Sequence, residues 1–252
     1  MPDIKLPDIK LPDINLEVCV DDAAGLAAAI AGGADRIELC AALPIGGLTP
    51  SRGLMELAAS TGLPCYPMIR SRTGAFIYSA QDVAVMKADI RATRAHGLTG
   101  VVLGANRADG SLDTSVLADL VAEAQGLDLT LHRAIDLCTD VEEAVEQADA
   151  LGFRRILSSG GALKAPDGVP RLEVMFRTAR GRLVIMPGSG VSAETLPRLA
   201  GLPLREIHGS CSVPVPADAQ GIAFGFQTGA ERQTDVAKVA ALKAALRALP
   251  DR

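Results

Sequence analysis

The sequence contains no tryptophan, and aromatic residues make up 3% of its 252 positions. Proteins that bind single-stranded nucleic acid use aromatic platforms set in a basic groove. Here the net charge is -5 and the lysines and arginines are dispersed, so no nucleic acid partner is expected. Long apolar runs are missing too. Residues 57–69 form a charge-free stretch of 13 that is broken by Gly62, Pro64 and Pro67, well short of the roughly 20 residues that span a bilayer. No membrane partner is expected. A continuous apolar leader is absent where Asp3, Lys5, Asp8 and Lys10 stand, so secretion is not expected. Cysteine is sparse: there are five, an odd number, with no Cys-x-x-Cys pair. That pattern fits free thiols in a reducing compartment better than a disulfide framework, and it predicts a cytoplasmic location.

What the chain does contain is one alternation, repeated. Residues 2–16 read Pro-Asp-Ile-Lys-Leu twice and then Pro-Asp-Ile-Asn-Leu. Proline excludes a helix interior, and three short copies do not make a solenoid. Residues 1–15 are therefore read as an extension, disordered or loosely docked, with a partner-binding tail as the alternative. From Leu16 onward, apolar runs near 16–20, 34–40, 64–69, 99–103, 127–132, 154–158, 182–187 and 204–208 alternate with helical runs. The helices are expected near 22–32, 51–61, 80–96, 113–125, 139–151, 168–180, 192–200 and 234–248. Eight strand–helix pairs predict an α/β fold closed as a (β/α)₈ TIM-like barrel, a single domain over 16–252. An open doubly wound sheet is the alternative. It is weakened because Val20-Asp21-Asp22 stands where a glycine-rich dinucleotide loop would follow the first strand. Caps are predicted at Ser79, Asp113 and Ser192, and as a box at Thr139 with Glu142.

Barrel enzymes carry their chemistry at the C-terminal ends of the strands, and reactive residues gather there in this sequence. Glu17-Val18-Cys19 ends the first strand and Glu38-Leu39-Cys40 the second. The period-2 alternation of a strand puts each carboxylate and its thiol on one face, and the two strands are expected to present them at matching heights. Later strands end in Met68-Ile69-Arg70, then Arg72, Asn106, His132-Arg133, Asp136, Ser158-Ser159-Gly160, Gly188-Ser189-Gly190 and Glu206-Ile207-His208. Cys65 begins its strand at the other rim and is read as core. Thiolates favour Cu(I), so Cys19 and Cys40 on neighbouring strands are candidate metal ligands, but the spacing equally suits two packed thiols.

Glu17, Glu38, Arg70, His132 and Asp136 form the candidate catalytic set of an enzyme, with carboxylates as acid and base and His132 as proton shuttle. Arg72 with Arg70, Ser159, Gly160, Gly188, Ser189 and Gly190 are candidate anion-binding residues, the glycine-rich turns supplying backbone amides. Ion pairing without chemistry, and turns that need glycine for their shape, are the plainer readings of the same residues. The 212–234 connection reads as a lid over the mouth or as a contact in a homo-oligomer.

Assembled in order, these words resemble the CutC copper homeostasis family over about residues 16–212. The motifs are Glu17-Val18-Cys19, Gly33-Ala34-Asp35-Arg36-Ile37-Glu38-Leu39-Cys40, Gly46-Gly47-Leu48-Thr49-Pro50-Ser51, Met68-Ile69-Arg70, Phe76-Ile77-Tyr78-Ser79, His132-Arg133-Ala134-Ile135-Asp136 and Met186-Pro187-Gly188-Ser189-Gly190-Val191. After Arg70 the chain reads Ser71-Arg72-Thr73-Gly74-Ala75-Phe76, where the family usually has Pro-Arg-Gly-Gly-Asp-Phe. The resemblance implies a TIM-like barrel, a role in copper homeostasis, and Cu(I) as the ligand of the cysteines at positions 19 and 40. The alternative is a barrel enzyme acting on a small anionic substrate, phosphorylated or sugar-like.

Overall fold

A computed structural model describes residues 14–249, so the repeat extension lies outside the described residues except for Ile14 and Asn15. Eight parallel strands run in sequential order: β1 (Asn15–Val20), β2 (Arg36–Leu39), β3 (Cys65–Pro67), β4 (Gly100–Leu103), β5 (Asp128–Leu131), β6 (Arg155–Ser158), β7 (Val184–Pro187) and β8 (Glu206–Gly209). Their ladders form two four-stranded sheets, β3-β2-β1-β8 and β4-β5-β6-β7. The sheets join through a parallel bridge between Met68 and Val102, and β7 packs beside β8. First and last strands are hydrogen-bonded neighbours. An open doubly wound sheet does not bring them together, so the fold is the TIM-like barrel.

Period-2 alternation sorts each strand's side chains. Outward-facing Leu16, Val18, Ile37, Leu39, Val101, Leu103, Leu131, Ile156, Ile185 and Ile207 are buried in one apolar cluster with helix residues such as Leu26, Met55, Ile90, Leu117, Leu172 and Leu242. Cys65 packs in that outer core, as its position predicts. Each buried leucine or isoleucine there contributes about 1.5–3 kcal/mol. Barrel interiors are usually filled by branched apolar side chains. This one buries Glu17, Arg36, Glu38, Thr130, His132, Arg155, Glu206 and His208 instead.

The helices are α1 (Ala23–Ala31), α2 (Arg52–Ala59), α3 (Ala80–Ala95), α4 (Thr114–Glu123), α5 (Val141–Ala150), α6 (Val169–Ala179), the short α7 (Ala219–Ala223) and α8 (Val236–Arg247). Ser79 and Asp113 cap α3 and α4 as predicted. Two local expectations need correction. The cap of α5 is Asp140, whose carboxylate accepts from Glu143 N–H at 2.9 Å, and not Thr139 with Glu142. No α-helix forms over 192–200. Ser192 and Thr195 close a turn, and only a 3₁₀ segment, Leu196–Leu199, follows, with Pro197 lacking the donor an α-helix would use there. The 212–234 connection is structured: β9 (Ser212–Pro214) pairs antiparallel with β10 (Arg232–Thr234), and α7 lies between them.

Candidate metal and ligand site

The floor of the barrel interior is an ionic lattice. Arg36 donates to Glu17 Oε2 at 2.5 Å and also to Glu206. Arg155 donates to Glu206 Oε2 at 3.0 Å, to Thr130 Oγ1 at 3.1 Å and to Asp128 Oδ2 at 2.8 Å. Tyr66 donates to the same Asp128 oxygen at 2.7 Å, and its ring lies 5.2 and 5.3 Å from the two guanidinium carbons. Charges this deep are tolerated because each is paired and hydrogen-bonded.

Glu17 links this floor to the mouth. Its Oε1 lies 2.9 Å from His208 Nδ1. Burial alone would raise its pKa, but Arg36 and His208 outweigh that and pull it down to about 2. An ionised Glu17 accepts a hydrogen bond from the Nδ1–H of His208 and leaves Nε2 to face the cavity. Burial would lower the pKa of His208, yet Cys19, Glu38 and Glu17 around it hold it well above the usual histidine range. Gly188 makes room for the ring: a Cβ there would stand 2.4 Å from Leu157 and 3.0 Å from His208 Cβ. Gly188 thus packs under the histidine, and its own N–H donates to Ser158 O at 2.9 Å.

Cys19 Sγ, a Glu38 carboxylate oxygen and a His208 ring nitrogen all lie within 4.8 Å of one another, and all three residues are buried. His208 Nε2 is 3.7 Å from Glu38 Oε2, and Glu38 Oε1 is buried without a partner. Burial drives the Glu38 pKa up to about 7, against the pull of His208. Cys40 is not a member of this trio. The β1–β2 register sets Cys19 opposite Glu38 and Glu17 opposite Arg36, so the two Glu-x-Cys words are staggered by two residues. Strand tilt and shear in a barrel demand such a stagger. The expected matching heights are thereby corrected, and Cys40 sits one layer nearer the mouth. Its thiol donates to Glu38 Oε2 at 3.7 Å, and burial, then Glu38, push its pKa well above the ordinary thiol value.

A cavity of about 250 Å³ opens above the trio, lined by Cys19, Glu38 and His208 on one side and by Met68, Arg70, Phe76 and His132 on the other. Ser189 and Gly190 also line it. A smaller cavity of about 130 Å³ reaches Cys19 and Asp21 from the β9–β10 hairpin through Ser212, Arg232 and Thr234. His132 fits because a glycine follows β4 beside it: a Cβ on Gly104 would stand 2.5 Å from its ring.

The other expected site residues are held elsewhere. Arg70 donates to the carbonyls of Ile45, Gly47 and Gly74 at 2.9 to 3.0 Å, which ties two loops together beside the cavity. Arg72 is exposed and bonds Asp82 at 3.1 Å and nearby carbonyls. Asp136 accepts from Arg133, Ser158 Oγ, Ser159 and the Gly161 amide. It is the hub of the loop after β6, and its lone pairs are occupied. Ser159 Oγ serves this hub, and the Gly160 amide donates to Ser158 Oγ at 2.9 Å. Phe76 and His208 line the cavity, and sequence reasoning gave neither a role. Strand parity put His208 at the mouth, but its partner Glu17 is 191 positions away.

A model of the CutC family matches residues 14–213. A family protein CutC from Sinorhizobium medicae is 55% identical over 239 residues, covering 93% of this chain and 96% of that protein. The human copper homeostasis protein cutC homolog is 39% identical over 241 residues, covering 91% of this chain and 88% of that one. Among solved structures, a CutC protein from Streptococcus agalactiae superposes with a TM-score of 0.74 at 30% identity, over 78% of this chain and 98% of its own. Thiamine phosphate pyrophosphorylase from Pyrococcus furiosus, at 12% identity and a TM-score of 0.58 over 94% of this chain and 96% of its own, shares the fold alone.

Proposed function

This chain belongs to the CutC family, and we propose that its part in copper homeostasis is to bind Cu(I) in the cytoplasm, through Cys19 Sγ and His208 Nε2 at the barrel mouth. One observation carries the reading: buried Glu17 holds His208 Nδ1 at 2.9 Å and turns the opposite nitrogen toward a thiol and a carboxylate. Histidines that ligate metals usually have their second nitrogen fixed by such a carboxylate. Thiolate and imidazole suit copper, whereas a carboxylate is a hard donor. Glu38 therefore supplies charge at the site and completes the trio, and the softer Cys40 and Met68 stand next to it. Cys40 acts as a second thiol on the way in or out of the trio, which gives the expected Cys19–Cys40 pair unequal roles.

The test is an anaerobic Cu(I) competition titration against a chromogenic chelator. Wild type binds one equivalent, Cys19→Ser abolishes the binding, and Glu17→Gln weakens it by about 10- to 100-fold. Binding unchanged in Cys19→Ser would overturn the proposal. A second reading, a barrel enzyme for a small anionic substrate, draws on the cavity itself and on Arg70 and His132, with Glu38 as its acid or base. Glu17 is committed to Arg36 and His208, and Asp136 to the loop after β6.

A further inference from the structure

The wall of the cavity opposite the metal trio has chemistry that copper binding does not use. His132 Nδ1 accepts the Ala134 backbone N–H at 3.1 Å, so the proton of the neutral ring resides on Nε2. That Nε2 is buried and has no partner. Arg70 is 5% exposed, and its Nε–H is likewise buried and unpaired. The other Arg70 donors meet only backbone carbonyls, and among the described residues no carboxylate pairs with this charge. Phe76 packs on both groups, with its ring centroid 4.6 Å from that of His132 and 5.0 Å from the Arg70 guanidinium carbon. Unpaired buried donors cost about 1–3 kcal/mol each, more when charged, and such groups are expected to meet an acceptor in the working state.

We propose that Arg70 and His132 bind the carboxylate of a small organic acid in this cavity, the two oxygens taking the two free donors and the charge offsetting the unpaired guanidinium. Burial and the neighbouring Arg70 charge, which push the His132 pKa down to about 3, keep the ring a neutral donor. Size supports a small acid: 250 Å³ is below the roughly 300 Å³ at which pockets for drug-sized ligands begin. Phosphate fits less well. The amides of the β6 turn are engaged, Gly160 with Ser158 and Gly161 with Asp136, and on the β7 turn the Gly188 amide donates to Ser158 O at 2.9 Å and Ser189 Oγ to Leu163 O at 2.7 Å. Phe76 lines the same cavity as Arg70 and His132, so the ligand sits against its ring and beside Cys19, Glu38 and His208.

The experiment is isothermal titration of the metal-free, chelator-treated protein with acetate, lactate and pyruvate, with acetamide and inorganic phosphate as comparisons. The expected result is saturable one-to-one binding of at least one carboxylate, none of acetamide, and phosphate weaker than the carboxylate. His132→Phe keeps the ring stack and removes the Nε2 donor, and it should weaken binding by about 10- to 100-fold. Arg70→Lys keeps the charge without the Nε donor and should weaken it similarly. Should either variant unfold, the ¹⁵N resonance of His132 Nε2 in wild type must shift along the same saturation curve. No saturable carboxylate binding, stronger phosphate binding, equal acetamide binding, or binding that leaves His132 unperturbed would overturn the proposal. Copper is absent throughout, so failure of the copper reading leaves this result standing; carboxylate binding that required added Cu(I) would contradict the assignment to Arg70 and His132.

Discussion

Floor and mouth of the same barrel are both lined by buried charge, yet they differ in how that charge is met. On the floor every guanidinium of Arg36 and Arg155 has carboxylate partners, and Tyr66 sits between them. At the mouth, Glu38 Oε1, Arg70 Nε and His132 Nε2 are buried without partners. A satisfied network is architecture, because nothing further can bind without breaking it. An unsatisfied one is a standing cost that a ligand removes. The same residue types therefore do opposite jobs a layer apart, and Glu17 belongs to both, with one oxygen on Arg36 and the other on His208.

The largest expected effect breaks the floor. Arg36→Met removes the guanidinium that Glu17 and Glu206 share, leaving Glu17 with His208 alone and Glu206 with Arg155 alone, and should cost about 3–5 kcal/mol in chemical denaturation; a loss under 1 kcal/mol would mean the lattice is not what holds the interior. Glu17 comes next. Its folded pKa of about 2 lies below its ordinary 4.5, so its contribution of a few kcal/mol is present above pH 4.5 and lost as pH falls toward 2. Glu17→Gln should remove that part of the acid limb. For His132 the folded pKa is about 3 against 6.5; the unfolded chain takes up its proton first, so stability falls as pH drops from 6.5 toward 3. His132→Phe should flatten this window while lowering stability near pH 7 through the lost Ala134 contact. Smallest is Glu38→Gln at the mouth. With a folded pKa raised to about 7, Glu38 contributes stability below pH 4.5 that is lost as pH rises through 7. At pH 8 the glutamine variant should match or exceed wild type, by about 1 kcal/mol. A large loss there would make Glu38 a floor-type residue.

Alternation of short apolar runs with helical runs made the eight strands legible, and the Glu-x-Cys words with the later strand ends pointed to the rim where the cavity opens. Register was not legible, because two identical words suggest equal height while barrel shear sets Cys19 against Glu38. Nor was the difference between Asp136, with its lone pairs filled by the β6 loop, and Glu38, with one oxygen empty. Both read as carboxylates at a mouth. Partner counts depend on loops folded far away in sequence, and on glycines such as Gly104 and Gly188 that make room for a histidine. The absence of the α-helix expected over 192–200 has a local cause that the sequence did carry, Pro197 next to the Ser192–Thr195 turn.

The most direct test of the mouth as a mixed thiol–imidazole site is X-ray absorption spectroscopy of the Cu(I)-loaded protein, compared with the Cys40→Ser variant. The account predicts one sulfur and one imidazole nitrogen in the first coordination shell, unchanged by Cys40→Ser. A shell of two sulfurs without imidazole, collapsing in Cys40→Ser, would contradict it and return the site to the two cysteines alone.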